Sequence, residues 1–181
     1  LDVDGGEVRI GDNDGSDYGP DVEMSSGTMD MSDGSVNIND ELDVANGTVT
    51  ISGGTLSIGT YSGSNLGGGS STDRFEMDAG TLNLTAGTIN IYGQINSSSY
   101  EALDLASAVT VNANANNTIN FVAGAGSNDE DMYVILNGNQ LGTVTISNTS
   151  QTVYFEDDID VLGDITINSS TTMDIGSNNS D

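Results

Sequence analysis

Apolar residues in this chain come in pairs, two apart, around one polar residue. Val22/Met24, Met29/Met31, Val36/Ile38, Leu42/Val44, Val49/Ile51 and Leu56/Ile58 all have this form. A spacing of two is the period of a strand, which sends alternate side chains to opposite faces. Successive pairs begin at 22, 29, 36, 42, 49 and 56, so the pairs themselves recur about every seven residues. This is not a coiled-coil heptad. A heptad alternates apolar spacings of three and four on helix formers, whereas Gly, Thr, Ser and Asn surround these pairs. No helix is predicted.

Every third pair lies 20 residues on: 22 to 42, 29 to 49, 36 to 56. Gly27 likewise recurs at Gly47, and Gly34 at Gly54. Three tiny strands and three glycine corners in about 20 residues predict an all-β fold, a three-sided parallel β-solenoid. One coil cannot bury its own apolar face, but coils stacked about 4.8 Å apart share a continuous core. With the three faces termed A, B and C, Val8/Ile10 is a C strand. The full coils read A22-B29-C36, A42-B49-C56, A75-B82-C89, A103-B109-C119, A134-B144-C153 and A159-B165-C173. Six to seven coils give a rod of roughly 30 Å. In "GTLNLTAGTINI", residues 80 to 91, Leu82, Leu84, Ile89 and Ile91 then point inward, and Thr81, Asn83, Thr88 and Asn90 outward.

A unit of Gly, Thr or Ser, apolar, polar, apolar recurs from positions 27, 34, 47, 54, 80, 87 and 142. In this it resembles the β-helix regions of bacterial surface adhesins and secreted passenger domains. The resemblance covers most of the chain. It implies an extracellular or cell-surface location and a structural or adhesive role within a surface filament, stalk or large adhesin. Residues 1–181 would then be a single solenoid domain, a segment of a longer repetitive protein, and self-association or continuation into a longer solenoid is expected. Glycine-cornered β-helices also occur in phage fibres, polysaccharide-cleaving enzymes and ice-binding proteins.

The irregular stretches cluster. From C to the next A the chain runs 8 to 22, 36 to 42, 56 to 75, 89 to 103, 119 to 134 and 153 to 159. Insertions at 11–21, 59–74, 92–102 and 122–133 therefore share one corner and form one edge, often the working edge of a solenoid. They hold Tyr18, Tyr61, Tyr92, Tyr100 and Tyr133. Tyrosine buries contact area at low entropic cost, so these are candidate contacts with a partner or target. Alternatively they cover the core at their own corner.

Charge changes the picture next. Asp and Glu total 28 against two basic residues, Arg9 and Arg74, for a net charge of -26. Such a surface repels nucleic acid and anionic lipid and attracts cations. Outward on face A stand Glu23, Asp43, Glu76, Asp104, Ile135 and Asp160, an acidic ladder interrupted once. Carboxylate oxygens suit Ca²⁺. "DNDGSDYGPDVE" sets Asp12, Asp14, Ser16, Tyr18 and Glu23 at positions 1, 3, 5, 7 and 12 of a calcium-loop-like pattern, although Asp17 stands where that pattern has glycine. A second oxygen-rich stretch, "SNDEDMY", adds Asp129 and Asp131. Asp12, Asp14, Ser16, Glu23, Asp129 and Asp131 are thus the candidate Ca²⁺ ligands; no organic cofactor is expected.

Polar columns are expected on the other faces. Ser35, Thr55, Thr88, Thr118, Thr152 and Thr172 would stand outward on C, and pairs such as Thr48/Thr50 and Thr143/Thr145 on B. Threonine ladders favour strands by β-branching and cross-strand bonds, and a regular array also resembles ice-binding surfaces. An ice- or glycan-binding module is accordingly the alternative function. Catalysis is not expected. The chain has no His, Cys, Lys or Trp, which leaves only a carboxylate pair, as in β-helix glycoside hydrolases. No apolar run reaches the ~18 residues of a membrane-spanning helix.

Overall fold

A computed structural model describes residues 1–10, 22–39, 41–59, 75–92, 100–122, 131–147 and 152–176. The architecture is a parallel β-solenoid: every strand ladder among the described residues is parallel.

The coils follow in the order B, C, A. The first comprises β1 (Asp2–Ile10), which spans faces B and C, and β2 (Val22–Met24) on A; the second comprises β3 (Thr28–Ile38) and β4 (Leu42–Val44). The third uses β5 (Thr48–Ile51), β6 (Thr55–Ile58) and the start of β7 (Phe75–Leu84). The fourth uses the end of β7, β8 (Gly87–Tyr92) and the start of β9 (Tyr100–Ala113). The fifth uses the end of β9, β10 (Asn117–Val122) and β11 (Met132–Ile135). Two more turns follow: β12 (Gln140–Leu141), β13 (Thr143–Ser147), β14 (Thr152–Phe155), and then β15 (Asp160–Val161), β16 (Ile165–Ile167), β17 (Thr172–Ile175).

Inward side chains stack rung on rung. Leu42, Phe75, Leu103, Val134 and Phe155 form a column on A. Val36, Leu56, Ile89, Ile119 and Val144 form one on C, and Met29, Val49 and Leu82 one on B. All are buried. Each such side chain contributes about 1.5–3 kcal/mol, so the core is a repeated small term rather than one large cluster. Phe121 and Phe155 meet edge to face with centroids 6.0 Å apart.

Glycine sets the corners because neighbouring coils touch there through backbone. At the turn from B to C, Gly54 has φ 72°, and a Cβ would lie 2.6 Å from the Gly34 carbonyl oxygen. In the fifth coil Asn117 takes this position, opposite Gly87. It is fully buried, and its Nδ2 donates to the Ala86 and Gly87 carbonyls at 3.1 and 3.2 Å. The amide stitches two coils together where glycine elsewhere lets them touch.

The predicted registers for the first three full coils hold, and several later assignments need correction. The B partner of Leu82 is Val111, not Val109, which lies opposite Gly80. A slip of two keeps the same side chains inward, so the alternation of β9 could not distinguish the two registers. Val144 pairs with Ile119 on face C rather than B, and Val153 pairs with Met132 on face A rather than C. Ile165 and Met173 shift in the same way, to C and A. The cause is the B strand: β12 carries a single buried residue, Leu141, so no apolar pair marks it. β15 is equally short and pairs with β12, so the pair Ile159/Val161, assigned above to face A, belongs to face B.

Candidate functional site

The corner from C to A is where coil length varies. Chain connections leave C and enter A at 11–21, 39–41, 59–74, 93–99, 123–131, 148–151 and 168–171. With the corrected phase, the apparent extra lengths between B and C in the last coils disappear. Tyr18, Tyr61, Asp12, Asp14, Ser16 and Asp129 lie outside the described residues. The tyrosines within them are not on insertions. Tyr92 ends β8 opposite Val122, Tyr100 opens β9, and Tyr133 sits in the middle of β11. They reach strand positions because the flanking strands extend further into the predicted insertions than the apolar pairs indicate.

Tyr133 is stacked on Tyr154 one coil away, with centroids 5.2 Å apart and planes 13° from parallel. The two are register partners on face A. Tyr154 stands between Val153 and Phe155, outside the insertions that define the candidate contacts, and the predicted phase places it on face C.

On face A, Glu23, Asp43, Glu76 and Asp104 occupy consecutive rungs. Neighbouring carboxylates are therefore one strand spacing apart, about 4.8 Å. Like charges in this position destabilise a ladder. Asp43 has an Oδ1 that is buried without a hydrogen-bond partner. The next rung is Ile135, and the column does not resume at Asp160. Asp160 lies in β15 on face B, where its Oδ2 accepts from Gln140 Nε2 at 2.7 Å.

Other carboxylates bind backbone. Asp131 Oδ1 accepts the Thr152 N–H at 2.9 Å, tying one coil to the next. Asp157 accepts the Leu136 N–H at 3.0 Å and also the Asn137 N–H. These amides leave the A strand at a corner that has no glycine stack, and Asn137 takes the left-handed φ of 51° there. Nothing in the acidic run "EDDID" singled out Asp157. Among the described residues, no three acidic side chains converge in a way that could hold a metal ion.

Face C carries a different chemistry. Ser35, Thr55, Thr88, Thr118 and Thr143 form one outward column, and Asn37, Ser57, Asn90, Asn120 and Thr145 the next. Thr152 and Thr172 belong instead to face A, where they pair with each other. Thr143 and Thr145 accordingly move from B to C. Asn120 Nδ2 donates to Asn90 Oδ1 at 3.2 Å, and Ser147 Oγ to Asn120 Oδ1 at 2.7 Å. In a chain of net charge -26, these ten side chains carry no charge, although Glu7 and Arg9 open the same two columns at the first coil.

Comparison with known protein families, curated proteins and solved structures finds no match.

Proposed function

We propose that this chain is a non-catalytic, extracellular structural or adhesive β-solenoid, part of a surface filament, stalk or large adhesin. The observation that carries this proposal is the confinement of length variation to the corner from C to A. A solenoid that keeps two corners tight and lets the third vary can change what it contacts without disturbing its core. The acidic ladder on face A runs alongside that corner, and Ca²⁺ binding there is part of the proposal. Tyr18 and Tyr61, with the strand-borne Tyr92, Tyr100 and Tyr133, are its candidate contact residues.

The test uses surface display on a non-adherent bacterium. Residues 60–74 are replaced by three residues, which makes the connection about as short as 39–41. Cells displaying the intact chain attach to immobilised glycans or to neighbouring cells, and cells displaying the shortened variant attach less. Equal attachment by both, or none by either, sinks the adhesive role.

A second function, ice or glycan binding, is favoured by the uncharged array on face C. Thermal hysteresis measured with the intact protein and with Thr88→Tyr separates the ice form. Hysteresis that the bulky substitution abolishes supports it, and no hysteresis in the intact protein removes it.

A further inference from the structure

Charge is segregated around the rod. The stretches 44–72, 79–100, 105–128 and 132–155 hold no charged residue, and they carry faces B and C of the third to sixth coils. The carboxylates between them include the face A rungs Asp43, Glu76 and Asp104. Face C is neutral from Ser35 and Asn37 in the second coil to Thr143 and Thr145 in the sixth. Its first coil differs. There Glu7 and Arg9 open the two outward columns, on the rung next to Ser35 and Asn37. Arg9 Nε donates to Glu7 Oε1 at 2.8 Å, and both side chains are exposed, Arg9 at 67% and Glu7 at 46%.

The polar groups of face C are largely bonded to one another along the rod. Asn37 Nδ2 donates to Glu7 Oε1 at 3.0 Å, and Asn90 Nδ2 to Ser57 Oγ at 3.4 Å. Asn120 Nδ2 donates to Asn90 Oδ1 at 3.2 Å, and Ser147 Oγ to Asn120 Oδ1 at 2.7 Å. Groups that already have partners cost little to take out of water. A sugar or an ice surface would have to compete for these same groups. Coils added at either end of the rod would lengthen this face without covering it.

We infer that face C packs against face C of a second copy, about a two-fold axis parallel to the rod. This axis keeps the two rods parallel and level rung for rung, and reverses the strand direction across the joint. The first outward column of one copy then faces the second column of the other. Thr88 meets the second copy's Asn90, and Thr118 its Asn120. Glu7 meets the second copy's Arg9, and Arg9 its Glu7, which makes a ring of four alternating charges. The charged pair on this face is thus complementary to itself, and it uses one of only two basic residues in the chain. Such exposed pairs set register and orientation more than affinity. A two-fold along the strands would instead bring Glu7 over Asp164, which adjoins Thr166 on the last rung of the face. It would also bring the acidic C to A edges of the two copies together. The parallel axis lays each of those edges over the uncharged corner between B and C. Seven rungs of four to six residues cover roughly 500 Å² on each copy, about 1,000 Å² in all, the lower limit for a specific contact. The contact is isologous, so it closes as a reversible dimer. This deepens the structural reading above and rests on it.

Sedimentation equilibrium at about 0.15 M NaCl, where charges more than ~8 Å apart are screened, should show a monomer and dimer in exchange. Arg9→Glu should weaken the dimer at least about tenfold, and so should Glu7→Arg. The second variant is the sharper one, because it lowers the net negative charge and would strengthen a contact limited by general repulsion. Glu7→Arg/Arg9→Glu restores alternating charges under the same axis and should restore the dimer. All three change exposed side chains and should keep the monomer's fold, read by circular dichroism. The chain contains no cysteine, so disulfides report the register. A mixture of Thr118→Cys and Asn120→Cys should form a mixed disulfide dimer in preference to either symmetric one.

A monomer at every protein concentration overturns the proposal and leaves face C to the ice or glycan alternative. A dimer indifferent to Arg9→Glu and Glu7→Arg overturns it too, as does a double variant that stays monomeric or a preference for the symmetric disulfides. The attachment assay above is independent. A monomeric rod that still attaches cells defeats only the pairing of faces. A dimer whose attachment ignores the shortened corner defeats only the adhesive role.

Discussion

Gly80 and Gly27 have nearly the same backbone, φ 106° and 111°, and very different surroundings. A Cβ on Gly27 would meet nothing, but on Gly80 it would fall on the Gly47 carbonyl oxygen. That oxygen accepts the Thr81 N–H at 2.8 Å. Alanine at 27 therefore pays only for its backbone conformation, about 1–2 kcal/mol. Alanine at 80 adds a clash and a disrupted ladder bond, so about 3 kcal/mol or more is expected. Urea denaturation of Gly27→Ala and Gly80→Ala should separate the two, and equal losses would mean that corner packing does not contribute. Asn117 belongs to the same scale. It shows that a corner can also be closed by a buried amide bonded to the coil before it, provided its donors are satisfied.

At the scale of the element, strand length decides how much of the fold can be read. Strands with two inward side chains, such as β4, β6 and β8, announce themselves by an apolar pair. β12, with one, does not. The connection from C to A can be as short as 39–41, so length there is a freedom rather than a need. Replacing 60–74 by three residues should accordingly leave the β-sheet circular dichroism unchanged and the melting temperature within a few degrees. A loss of cooperative unfolding would show instead that this segment is required for folding.

For the whole molecule the governing term is charge. At -26, compact coils repel one another and themselves, and added salt should raise the melting temperature. Ca²⁺ on the face A ladder should raise it further at matched ionic strength and low salt, and EDTA should reverse the gain. A melting temperature indifferent to Ca²⁺ and EDTA removes the metal from the proposal. Asp43→Asn supplies the comparison. Asp43 stands between Glu23 and Glu76 with one oxygen buried and unbonded. Relieving that repulsion should stabilise by about 0.5–1 kcal/mol, or roughly 1–4 °C, at low salt and by less at high salt.

Sequence alone determined the solenoid, because its signal is local and repeated. Apolar pairs two apart, a 20-residue recurrence and corner glycines appear wherever a coil is regular, as from Val22 to Ile91. It also determined the acidic character and the rungs from Glu23 to Asp104. Tertiary structure decided what depends on phase. Once β9 runs past its corner and β12 shrinks to two residues, counting pairs no longer says which face a residue occupies. Only the hydrogen-bonded register puts Asp160 on face B, Thr143 on face C, and Tyr154 beside Tyr133.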